Sequence, residues 1–158
     1  MKELRERIDV AAPVELTEAG LMAFFDVRQD ANGVTRMRLR VVLDGSHVAI
    51  EREVRVTARA GRDDEGLNDL VRITWQPEGT VVFPQFEGTL VAWGGEDPAS
   101  SVIELRGHYA PPLGAAGQVF DEAIGLRIAQ ATAHEFLRDI KREIESRAKF
   151  TKRAPNGE

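Results

Sequence analysis

The chain has 158 residues, 42% of them hydrophobic and 30% charged, which fits one globular domain large enough to bury a core or surround a cavity. Its 21 basic and 26 acidic side chains give a net charge of -5, which disfavours nucleic acid as a partner, and no apolar run approaches the ~20 residues of a membrane span. Cysteine is absent, so disulfides and thiolate metal sites are excluded; the N-terminal MKELRERIDV lacks the apolar stretch of a signal peptide, and a cytoplasmic location is expected.

Residues 2–10 alternate, with Leu4, Ile8 and Val10 on one side and Glu3, Arg5, Arg7 and Asp9 on the other, which predicts a half-buried strand with Glu6 as the polar exception. In the following APVELTEAGLMAFFDV, Thr17 can cap a short helix carrying Leu21, Phe24 and Phe25. Gly20 costs such a helix roughly 1 kcal/mol, and Leu21, Ala23, Phe25 and Val27 also alternate, so a strand stays open as the alternative. From Val34 the pattern is a meander. Met37, Leu39, Val41 and Leu43 alternate with Arg36, Arg38 and Arg40 before a turn at Asp44-Gly45. Val48, Ile50, Val54, Val56 and Ala58 share one side of the next strand, which Arg52 interrupts, and ARAGRDDEGLND reads as a polar loop. Val71, Ile73 and Trp75 mark another strand, a long run covers Thr80 to Trp93, and the last strand covers Ser101 to Tyr109.

HYAPPLGAAGQVFDEAIG then leads into the clearest element of the chain. Pro111 and Pro112 lack backbone donors and end the ladder, Gly114 and Gly117 allow unusual backbone angles as the chain reverses, and Asp121 complements the positive end of a helix. At ~100 degrees per residue, Val119, Leu126, Ala133, Leu137, Ile140 and Ile144 form one stripe, with Arg127, Glu135, Arg138, Asp139 and Arg142 facing away. The helix spans about 30 residues, or roughly 40 Å, and needs a broad support such as a curved antiparallel sheet. The expected fold class is α+β: a curved antiparallel sheet of about six or seven strands wrapped around a long C-terminal helix. One domain is expected over residues 1–148, with KFTKRAPNGE, residues 149–158, as a disordered tail.

Three stretches carry a family resemblance: IDVAAPVEL, a strand followed by an Ala-Pro helix entry; FPQFEGTL, from Phe83 to Leu90; and LRGHYAPPLGAAGQVFDEAIGLRIAQATAHEFL, from Leu105 to Leu137. Together with the meander they resemble the START-like, or SRPBCC, superfamily with its helix-grip fold. The resemblance departs at one point: its members usually carry two short helices between the first two strands, and here about 20 residues leave room for one. The resemblance implies a cavity between sheet and C-terminal helix that binds a hydrophobic small molecule of the lipid, sterol or aromatic polyketide type. Two other readings stand beside it. One is an aromatase/cyclase-type enzyme in which Tyr109, Gln130 or His134 positions and deprotonates a polyketide, and the other is a non-catalytic interaction module whose interior is filled by Trp and Phe.

His108 and Tyr109 suggest an acid/base pair, but neighbours on a strand point to opposite faces, so a structural role is expected for both. The three histidines, His47, His108 and His134, are scattered without metal-ligand spacing, and neither a nucleophile elbow nor a phosphate-cradling loop is present. No catalytic residue, metal or cofactor is therefore assigned. Asp63, Asp64 and Glu65 read as a solvated loop rather than a calcium site. The ligand-binding candidates are Gln130, one turn from Leu126 and Ala133 at the border of the stripe; Arg52, on the apolar side of its strand; Trp75, Phe83, Phe86, Trp93 and Tyr109 as pocket walls, not all of which can face one side; and His134 and Leu137 beside them on the helix.

Overall fold

Alternation at the start of the chain places Leu4, Ile8 and Val10 on the buried side of β1 (Lys2–Val10), while Glu3, Arg5, Arg7 and Asp9 are exposed on the other. The structure, a computed structural model, describes residues 2–42, 49–78, 85–110 and 122–153. Within it, β1 is followed by α1 (Val14–Arg28), β2 (Val34–Val42), β3 (Ala49–Arg62), β4 (Asp69–Pro77), β5 (Gln85–Gly94), β6 (Ser101–Ala110) and α2 (Glu122–Arg153). The six strands form one antiparallel sheet in the order β1-β6-β5-β4-β3-β2. Asp44-Gly45, the PPLG corner with Gly114 and Gly117, Asp121, Val119 and residues 154–158 lie outside the described residues.

α2 packs against both edge strands, β1 and β2. In a flat six-stranded sheet those edges would stand about 24 Å apart, far beyond the ~10–12 Å width of a helix, so the sheet must curl around α2. Gly88 and Gly107 are paired across β5 and β6. A Cβ on Gly88 would collide with the Arg106 carbonyl and one on Gly107 with the Glu87 carbonyl, while the tip of the Phe86 ring lies 2.6 and 2.7 Å from those two positions. The ring thus covers the backbone that the glycines leave bare.

The helix reading of residues 14–28 holds, but Thr17 does not cap it. Pro13 occupies the N-cap, and Thr17 lies inside the helix, fully buried. The Ser101 hydroxyl donates to the Ala12 carbonyl at 2.8 Å, so the Thr17 hydroxyl donates to Ser101 Oγ at 2.7 Å, and this chain of bonds ties α1 to β6. Gly20 packs against α2, with Ile144 Cγ1 2.7 Å from where its Cβ would be.

One expected boundary moves. Residues 59–62, read as loop, continue β3 and pair with 69–72, leaving a turn over 63–68. Ala60 is the one apolar side chain among them, too small to register as alternation, and the turn is set by the Asp63 carboxylate, which accepts from Leu67 N–H and Asn68 Nδ2, with Gly66 at φ +70°. α2 runs to Arg153. No helix among the described residues is long and apolar enough to cross a membrane.

Candidate functional site

Strand direction divides the molecule into two ends. Val10, Ser101, Gly94, Asp69, Arg62 and Val34 gather at the end where α1 packs; Lys2, Ala110, Gln85, Pro77, Ala49 and Val42 gather at the other. Between them the concave face is apolar: Leu4, Ile103, Leu105, Leu90, Ile73, Val54, Val56 and Leu39 are all buried.

The middle of this face is filled with rings. Trp75 stacks on Phe86 at 4.3 Å between centroids and meets Phe136 at 5.3 Å, and Phe136 lies 6.2 Å from Phe25. Of the residues nominated from the sequence, Trp75, Phe86, Tyr109, Ala133 and Leu137 are brought together here, each no more than 2% exposed. Gln130 and His134 are exposed on the outer border of α2, and Leu126, near the helix start, is 39% exposed rather than part of the buried stripe. That stripe is centred on Ala129, Ala133, Phe136, Leu137 and Ile140, because a helix held between two sheet edges buries a wide arc. Phe83 lies outside the described residues, as does the side chain of Arg52. His108 is exposed on the convex face and Tyr109 buried on the concave one, as the strand period requires.

Open space lies at the α1 end. A pocket of about 470 Å³ separates α1 from the ends of β3, β4 and β5, with Leu21, Met22, Val71, Leu90 and Ala92 among its walls. Glu15, Glu18 and Ala19 from α1, Ala60 and Gly61 from β3, and Asp69 and Leu70 from β4 complete it. Glu15, Glu18, Ala19 and Met22 are spaced i, i+3, i+4 and i+7, one face of the helix. That spacing was the signal available in the sequence, but glutamates there read as the solvent side.

Two other polar places compete poorly for an apolar ligand. A groove of about 420 Å³ between α1, β2 and α2 is lined by Arg28, Arg36, Arg38 and Arg142. Its charges satisfy one another: Arg28 pairs with Glu143 at 2.8 Å, Arg36 with Asp30 at 3.1 Å, and Arg142 with Asp139 at 3.7 Å. The second is Glu6, the inward-facing carboxyl in the Leu4 to Ile8 row, which partial burial pushes above the ordinary range while the charge of His134 pulls it back. Among the described residues no cluster of His, Asp or Glu could hold a metal ion.

Comparison with solved structures gives likenesses over nearly the whole chain. The Zhui aromatase/cyclase from Streptomyces sp. R1128 matches with a TM-score of 0.55 at 15% identity, covering 99% of each chain. A START superfamily protein from Mycobacterium smegmatis gives 0.49 at 13% identity, over 94% of this chain and 98% of that one. A protein from Thermus thermophilus gives 0.47 at 17% identity, over 93% and 99%. Protein-family models and curated protein sequences give no match. The first likeness spans the curled six-stranded sheet, the long C-terminal helix and the helix after β1, and it shows the fold: the chain has the helix-grip fold.

Proposed function

We propose that the protein binds a hydrophobic small molecule, held between α1 and the concave face of the sheet. The observation that carries this reading is the pocket of about 470 Å³ with Leu21, Met22, Val71, Leu90 and Ala92 in its walls. Its size falls in the usual range of small-molecule sites, ~300–1,000 Å³. Apolar ligand surface buried there contributes about 25 cal/mol per Å² before the costs of association. Binding is favoured over catalysis because the described pocket walls hold no serine, threonine, lysine or histidine, and of the residues named for an aromatase/cyclase Gln130 and His134 are exposed on the border of α2 while Tyr109 is buried among the interior rings. Between the sheet and α2 the described interior holds the rings of Trp75, Phe86 and Phe136, packed against one another.

The test is titration with N-phenyl-1-naphthylamine, a neutral apolar fluorophore. Saturable enhancement is expected, weakened about tenfold or more by Ala19→Trp, which fills the mouth from an exposed position, and unchanged in Gln130→Ala and His134→Ala. Absence of saturable binding would overturn the function. Sensitivity to Gln130→Ala or His134→Ala without sensitivity to Ala19→Trp would move the site to α2.

A further inference from the structure

We infer that the ligand of the α1 pocket is an amphipathic cation, an apolar chain or ring system carrying a protonated amine; this rests on the reading of that pocket as a hydrophobic-ligand site. The floor and the mouth differ in chemistry. The floor is Leu21, Val71 and Leu90, all buried. The mouth carries carboxylates on both sides: Glu15 and Glu18 on α1 and Asp69 at the start of β4.

Asp69 is partnered, by Arg62 at 3.6 Å, and both side chains are well exposed. Glu15 and Glu18 have no ion pair and no hydrogen bond to another described residue, although the protein is rich in arginine and pairs its acids elsewhere, as in Arg28–Glu143, Arg38–Glu51 and Arg55–Glu78. Among the described residues no basic side chain lines the pocket itself. A fatty-acid carboxylate seated with its chain on Leu90 would meet like charge at the mouth, each such pair costing about 1 kcal/mol at ~4 Å in water. An ammonium gains by the same amount. The groove lined by guanidinium groups lies elsewhere, beside Arg28 at the other end of α1, and its arginines are already paired with carboxylates.

Competition against bound N-phenyl-1-naphthylamine by decylamine, decanol and decanoate, three ligands with one chain and three head charges, tests this below their micelle-forming concentrations. Decylamine is expected to displace the probe at about tenfold lower concentration than decanoate at low salt, a gap that narrows as salt screens the mouth. In Glu15→Gln/Glu18→Gln the amine and the carboxylate should converge, which separates a local effect from attraction to the net charge of -5. Equal displacement by all three ligands, or a preference that survives unchanged in the double variant or in Ala19→Trp, overturns the inference while leaving hydrophobic binding intact. Failure of the probe itself to bind overturns both.

Discussion

Glu104 points from β6 toward the convex, solvent-facing side, yet its side chain is fully buried, because arginines cover it. Arg7 and Arg106 donate hydrogen bonds to its two oxygens, Arg5 lies 3.9 Å away, and Arg7 also lies over the Trp93 ring at 5.2 Å. Burial alone would raise this carboxyl, but the bonds and charges of Arg7 and Arg106 outweigh it and hold the group below the ordinary glutamate range. Below that range the unfolded chain binds the proton more readily than the folded one. The contribution to stability is therefore present above ~4.3 and is lost as pH falls through the lower folded value. Glu104→Gln should cost roughly 1 to 3 kcal/mol at pH 7, the arginines being about half exposed, and should flatten the acid limb of the stability curve. Urea melts between pH 3 and 7 check this; an equally steep acid limb in variant and wild type contradicts it. Alternation made the outward direction of Glu104 legible but not its burial, since a charge on the solvent face of a strand reads as solvated until its neighbours across the sheet are known.

α1 shows the same limit for an element. Leu21, Phe24 and Phe25 fit a helical face, Leu21, Ala23, Phe25 and Val27 fit a strand, and Gly20 argues against a helix, so local pattern left the choice open. Tertiary contacts decide it: Thr17 bonds to Ser101, and Gly20 is the point at which α1 meets Ile144 of α2. The glycine that weakened the helix locally is what lets it dock. Gly20→Ala brings a propensity gain of about 1 kcal/mol against overpacking of typically ~1–3 kcal/mol, because the new methyl would sit 2.7 Å from Ile144 Cγ1, which is anchored in the core. We expect net destabilisation of about 1 kcal/mol in the wild-type background and net stabilisation when Ile144→Ala has removed that atom. A double-mutant cycle by chemical denaturation measures the reversal; the same sign in both backgrounds would show that Gly20 is not a close-approach residue. The pocket mouth went unread for a related reason, since Glu15 and Glu18 acquire a site only when β3 to β5 pass beneath them.

For the whole molecule, the meander and the long helix made the architecture readable, while the manner in which the interior is filled was not. The expected stripe through Leu126, Ala133, Leu137 and Ile140 omitted Phe136, yet Phe136 is fully buried and joins three parts of the fold: Trp75 of the sheet at 5.3 Å, Phe25 of α1 at 6.2 Å, and α2, to which it belongs. A stripe drawn on one helix assumes one flat partner, whereas α2 is gripped by both β1 and β2 and buries a wider arc. If this aromatic junction binds the sheet and both helices into one cooperative unit, they should unfold together. The chain has two tryptophans, and Trp93→Phe leaves Trp75 as the sole indole in the junction. In that background, midpoints from Trp75 fluorescence and from far-ultraviolet circular dichroism should coincide. Phe136→Ala should lower both by the same amount, corresponding to ~3–5 kcal/mol. Fluorescence that changes well before the dichroism in the Trp93→Phe protein would mean that the helices and the sheet are stabilised separately. A loss under about 1 kcal/mol in Phe136→Ala would mean that the remaining rings close over the gap.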